Sequence, residues 1–226
     1  MEYCKTFLKW LLCLKERERT VKTAAEKLQM SMRVTAKCRY NAAVRLQRQG
    51  AFAFFTTTSL SLGLIFIPLI QSAGVSLSFT PDVLNMMQVF LAVSVLVYSV
   101  VIGTSRFEVR AETLTECGDK LKELIRSIDK DKETKIVFSN DDLAAYQERY
   151  SDIVTDTENH IRSDYGLAIL EMNRDYFFCG LPKFKIFLQA NIQRGFPFIV
   201  PIFLLSIEVI FITDMIGITK VLTEYL

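Results

Sequence analysis

The chain has one histidine, His160, placed four residues before Asp164 and followed closely by Tyr165. On a helix that spacing sets imidazole and carboxylate one turn apart, within hydrogen-bonding reach. Two readings stay open for the group: a cluster that packs helices together, or a contact that senses a ligand or a neighbouring subunit. Nothing else is spaced for catalysis. There is no H-E-x-x-H, no glycine-rich phosphate loop, no G-x-S-x-G and no Cys/His pair. The cysteines are Cys4, Cys13, Cys38, Cys117 and Cys179, an odd number without a C-x-x-C, so neither a disulfide framework nor a zinc site is indicated. Paired acids fall on charged helix faces, where they are solvated. The expectation is a chain that is not an enzyme and carries no cofactor.

The elements that hold these residues are set by where charge is missing. Gln49 to Pro81 contains no charged side chain, Asp82 follows alone, and Val83 to Ser105 is uncharged again. About 20 apolar residues at 1.5 Å rise cross a ~30 Å hydrocarbon core. Two transmembrane helices are predicted, roughly 51–73 and 83–105, joined by a hairpin at 74–82 with Gly74, Ser76, Ser78 and Pro81 as turn residues. Arg33, Lys37, Arg39, Arg45 and Arg48 precede the first span. Arg106, Arg110, Lys120, Lys122 and Arg126 follow the second, and the hairpin has no basic residue. The positive-inside rule puts both long flanks, and the amino terminus, in the cytoplasm. There the cysteines are expected to be reduced.

The net charge of +2 hides an asymmetry. Residues 1–50 carry twelve basic and four acidic groups, whereas 106–195 carry fourteen basic and seventeen acidic ones. A basic segment beside a membrane can meet anionic lipid, a nucleotide, or the acidic part of its own chain. Phe7 to Leu14 is apolar but broken by Lys9 and followed by the basic Lys15–Arg19. It is too short for a span and lacks a cleavage site, so an interfacial helix with Trp10 at headgroup level is expected.

Neither Gly nor Pro occurs before Gly50, and residues 20–49 are rich in good helix formers. One helix from about Thr20 through the first span is predicted. Beyond the second span, Leu114, Cys117, Leu121, Leu124 and Ile128 form an a/d seam, so that helix is expected to continue as a stalk. Asp129–Lys135 reads as a charged turn. Ser139 or Asn140 caps the next helix, with Asp141 and Asp142 in its first turn. Its seam is Leu143, Tyr146, Tyr150, Ile153, Thr157 and Ile161, and Gly180 with Pro182 are expected to end the segment. The fold class is all-α, an integral membrane protein with a cytoplasmic helical bundle. It divides into basic helices at 1–50, a transmembrane hairpin at 51–105, a cytoplasmic region at 106–195 and an apolar helix at 196–226.

That last helix, Phe196 to about Leu222, holds Glu208 and Asp214. Its apolar residues favour insertion by about −7 kcal/mol and two central acids oppose it by about +6. It spans only if the acids face protein or water. A third span and a re-entrant or buried helix remain the two readings. In the second span Asn85, Gln88, Ala92, Val95, Ser99, Gly103 and Arg106 form one small and polar stripe, echoed by Thr56, Ser59 and Gly63 in the first. Such stripes glue membrane helices together or line a water-filled path.

Three blocks resemble the SLATT family of bacterial two-transmembrane effector domains. The first runs from Thr35-Ala36-Lys37-Cys38-Arg39-Tyr40-Asn41 to Leu46. The second is Arg106-Phe107-Glu108-Val109-Arg110-Ala111-Glu112 with Leu114, Cys117 and Leu121. The third runs from Tyr150 through Ile153 to Glu158-Asn159-His160 and Asp164-Tyr165. The resemblance implies antiphage defence, in which an activated form permeabilises the inner membrane and arrests growth, beside a nucleotide-generating or nucleotide-sensing partner protein. The expected assembly is a homo-oligomer, four copies, conducting ions along Asn85, Gln88, Ala92, Val95, Ser99 and Gly103 with Glu208 as an acidic ring. An anionic nucleotide second messenger or oligonucleotide would meet Arg33, Lys37, Arg39, Arg45, His160 and Asp164. The alternative is a non-conducting membrane-anchored scaffold that recruits a cytoplasmic partner. A lipid-active enzyme is the weakest option, since no nucleophile accompanies Glu208 and Asp214.

Overall fold

The computed structural model describes residues 2–14, 21, 23–134, 138–172 and 175–222. The run Lys15–Arg19, residues Thr20 and Lys135, and the side chain of Cys4 lie outside that description. All regular structure among the described residues is helical: α1 (Glu2–Leu11), α2 (Ala24–Ser72), α3 (Pro81–Ser105), α4 (Phe107–Thr134), α5 (Asn140–Thr155), α6 (Arg162–Glu171), α7 (Gly180–Gly195), a 3-10 turn (Phe196–Phe198) and α8 (Ile199–Met215). They divide into two compact units. A polar unit takes Met1–Leu46 and Glu108–Gly195, and an apolar unit takes Gln47–Phe107 and Phe196–Leu226.

In the polar unit the first half of α2 is the central post. Met32 packs on Leu124, Ile125 and Ile128 of α4 and on Tyr146 of α5. Ala36 meets Cys117 and Leu121, and Cys38 meets Ala168 and Met172. All five residues of the predicted α4 seam are buried. Tyr40 lies across Gly118, where a Cβ would come within 2.8 Å of the ring. Lys122 Nζ sits 4.1 Å from the centre of that ring.

Four local expectations change. Residues 129–134 complete α4 instead of turning, and the stalk is interrupted at Arg106, whose φ of +47° is left-handed. Ser139 caps α5 in a capping box with Asp142, but α5 ends at Thr155, so Thr157 and Ile161 leave its seam. Gly180 and Pro182 open α7 rather than closing a segment. Proline suits a first helical turn, where its missing N–H costs nothing.

The apolar unit packs α3 and α8 on the second half of α2. Its core is Leu60, Ile67, Leu84, Met87, Leu91, Phe211 and Met215, with Phe79 stacked on Phe211 at 4.8 Å. Ser78 N–H donates to Met215 O at 3.1 Å, tying the hairpin to the end of α8. Three helical stretches are long and apolar enough to cross a membrane: Ala24–Ser72, Pro81–Thr134 and Gly180–Met215. Their outer faces are apolar too, as Leu62, Ile65, Val93, Leu96, Ile202 and Phe203 show by their exposure. Helices apolar all round suit a hydrocarbon solvent.

Candidate functional site

The polar unit is built around one carboxylate. Asp164 is wholly inaccessible. It stands at the third position of α6 and accepts the Ile161 N–H at 3.3 Å, a capping contact that fixes the start of the helix. That role overturns the expected i,i+4 pair. His160 falls before α6, outside the helix, and its Nδ1 is buried with no hydrogen-bond partner.

The charge of Asp164 is met from two other helices. Arg45 of α2 reaches it through Nε at 3.2 and 3.3 Å and through Nη2 at 3.1 Å. Arg194 of α7 reaches it through Nη2 at 3.3 Å. The same Arg194 nitrogen donates to Asn41 O at 2.8 Å, and Asn41 Nδ2 donates to Asp164 O at 3.3 Å. Side-chain exposure is 11% for Arg45 and 17% for Arg194. Forked, charge-assisted bonds of this kind fix orientation as well as energy. The clasp joins the helix that runs on into the first apolar span to the helix that runs on into α8.

Arg39 is the odd cation. It is 1% exposed, its guanidinium donates to Glu158 O, and its Nε has no partner. Among the described residues no carboxylate pairs with it. Ser163 Oγ and Arg194 Nε are also buried without partners among the described residues. Arg45 and Arg194 thus share one buried carboxylate, and unpartnered donors are left at Arg39 and Arg194. Buried cations without a counter-charge are costly. Burial, with the Arg39 charge next in weight, holds the His160 imidazole below its usual range, against the opposing pull of Asp164. Burial and the Asp164 charge push the Cys38 thiol up to about 12. Burial and the surrounding charges thus hold both His160 and Cys38 in their neutral forms.

Of the sequence-predicted ligand set, Arg45 and Asp164 are joined, and Arg39 and His160 lie beside them. Arg33 is exposed and apart from this network. Lys37 forms an exposed ion pair with Glu171 at 2.8 Å. An open basic patch is not what the fold builds, because Arg39 and Arg45 turn inward. Sequence reasoning missed Arg194, Asn41 and Ser163. Arg194 had a signal, as the last charge before a long apolar run.

The predicted pore stripe is split. Gln88 donates to Gln71 at 2.9 Å and Val95 packs on the core, so both serve packing within the chain. Asn85, Ala92, Ser99 and Gly103 are exposed, and a Cβ at Gly103 would meet nothing within 4 Å. Glu208 does not present an acidic face. It is 3% exposed, its Oε1 has no hydrogen-bond partner, and an ideal Cβ on Gly63 would lie 2.0 Å from that atom. The missing side chain at Gly63 is the space the carboxyl occupies. Asp214 is also buried, held by Thr219 Oγ1 and the Leu222 N–H. Both acids of α8 face protein, as a membrane-crossing helix requires.

The family model for the SMODS and SLOG-associating 2TM effector domain family 5 matches residues 21–216. The chain belongs to that family. No curated protein and no solved structure matches it. This SLATT domain is thus a membrane-associated effector domain of antiphage defence systems. The matched span contains every residue of the Asp164 clasp and runs through α8, so the third apolar helix lies within the family's extent. Among the described residues no group of three or more His, Cys, Asp or Glu is arranged to hold a metal.

Proposed function

We propose that this SLATT domain forms a homo-oligomeric ion-conducting pore in the bacterial inner membrane, its amino terminus cytoplasmic, gated by a nucleotide second messenger or oligonucleotide. A partner protein makes or senses that signal, and the open state depolarises the membrane and arrests growth. The observation that carries this reading is the exposed line of Asn85, Ala92, Ser99 and Gly103 on α3. Among the described residues they are exposed rather than packed, and three helices are too few to enclose a water path. Several copies, four in the simplest arrangement, bring the line inward.

The Asp164 clasp supplies the gate's control. An anionic phosphate competes with Asp164 for Arg45 and Arg194 and finds in Arg39 a cation that no described carboxylate pairs. Because α2 and α7 each continue into an apolar helix, loosening the clasp frees both. A ligand shifts such an equilibrium only by its differential affinity for the two states.

The test is binding of radiolabelled cyclic and linear oligonucleotides to purified protein, wild type against Arg39→Gln. Gln removes the buried charge while keeping an amide donor on the shortened side chain. Lost or strongly weakened binding, with an unchanged oligomer on size exclusion, supports the site. Unchanged binding sinks it. Replacing the two spans of the α2–α3 hairpin by poly-Leu helices separates pore from scaffold, since a scaffold keeps arresting growth and a pore does not.

A further inference from the structure

The polar unit carries a second surface that the clasp does not use. α7 is apolar on two sides. Its inner side, with Ile186 and Ala190, packs on α6, where a Cβ at Gly166 would stand 3.3 Å from Ile186. Its outer side presents Leu181, Phe184, Leu188 and Ile192 at i, i+3 and i+4 spacing, between 46% and 62% exposed. α1 adds Phe7, Leu8 and Trp10, each more than half exposed, with Lys5 and Lys9 on its other side. The two helices are fixed to each other. Cys179 Sγ donates to Trp10 O at 3.1 Å, and Cys179 N–H donates to Cys13 Sγ at 3.0 Å. Gly180, at φ +54°, abuts the Leu11 backbone so closely that a Cβ would lie 2.1 Å from its carbonyl oxygen.

We propose that α1 and the outer stripe of α7 form one platform that lies in the headgroup region of an anionic bilayer. At 10 residues α1 is too short to cross, and α7 is broken by Lys183 and Lys185 ahead of the charge-free run that follows Arg194. Both have the composition of an interfacial helix, with apolar and aromatic residues on one side and basic residues flanking them. The charge selects lipid over a second copy of the chain. Outside the clasp α7 carries Lys183 and Lys185 and no acid, so two copies face to face would oppose like charges. Anionic headgroups complement them. Continuity points the same way, because α7 passes at Gly195 directly into the 3-10 turn and α8. The inference does not depend on conduction or on a nucleotide ligand.

Trp10 is the chain's only tryptophan, which makes it a clean reporter. The full chain is reconstituted in vesicles of phosphatidylcholine and phosphatidylglycerol with lipids brominated near the headgroup or deep in the tails. A second protein, Trp10→Phe with Phe184→Trp, reports from α7. The expected result for both is blue-shifted emission, strong quenching by the shallow bromines, weaker quenching by the deep ones, and protection from aqueous acrylamide. Quenching by acrylamide but not by bromolipid at either position overturns the platform. Emission that is blue-shifted yet insensitive to both quenchers also overturns it, and assigns the face to a protein partner. Gly180→Ala should free Trp10 from α7, altering its quenching depth while the α7 reporter keeps its own.

Discussion

Replacing Asp164 by Asn probes the clasp with little change of shape. Asn keeps an oxygen for the Ile161 N–H, so the start of α6 stays capped. It removes the negative charge that neutralises Arg45 and Arg194, both largely buried. Deleting one partner of a buried pair costs about 3–5 kcal/mol, mostly from the unpaired charge left behind. Tenfold in an opening equilibrium is about 1.4 kcal/mol, so amides of α6 and α7 should exchange hydrogen roughly two to four orders of magnitude faster. Hydrogen exchange by mass spectrometry in nanodiscs reads this helix by helix and needs no reversible global unfolding. The triple variant Asp164→Asn, Arg45→Leu, Arg194→Leu removes every charge together while keeping the oxygen for the Ile161 N–H, and should recover most of the protection, since apolar replacement of buried charged partners is often neutral. A change under tenfold in the single variant, or a triple variant no better than the single one, refutes the reasoning.

Gly63→Ala should dislodge the Glu208 carboxyl and destabilise the apolar unit by about 1–3 kcal/mol, and adding Glu208→Ala should restore thermal stability in detergent. His160 has a lowered pKa, so the unfolded chain binds more protons below about pH 6.5; its contribution is present above that pH and lost as pH falls toward the folded pKa, and His160→Gln should flatten this part of a stability–pH profile. Cys38, fully buried and un-ionised, should resist maleimide at pH 8 until the protein is denatured, as mass spectrometry of labelled peptides will show. Ser99→Phe should reduce unitary conductance, whereas Val97→Phe on the same helix should leave it unchanged.

The long α2 was legible because nothing between residues 20 and 49 opposes a helix and the charge-free run beyond merely extends it. The α4 seam was legible for the same reason: its period is local. The errors lie where one residue type has two meanings. Gly180 and Pro182 read as a stop, yet a proline two residues into a helix marks a start. His160 and Asp164 read as a one-turn pair, but an aspartate three residues past a helix cap reaches back to the cap, and that put His160 outside the helix. The clasp itself was illegible, because Arg45 and Asp164 are 119 residues apart and Arg194 sat at the edge of an apolar run. Spacing rules describe neighbours on one element, whereas burial of Arg39 and Arg45 is decided by three helices meeting. The notch at Gly63 likewise required the partner Glu208 to give the glycine its meaning.

Single-channel recording from the purified, reconstituted protein in planar bilayers, with and without short oligonucleotides, tests the central claim most directly. Discrete openings whose probability changes with ligand in wild type, and no longer changes in Arg39→Gln, are predicted. A silent bilayer containing verified, oriented protein under every oligonucleotide added would contradict the pore and leave the membrane-anchored scaffold.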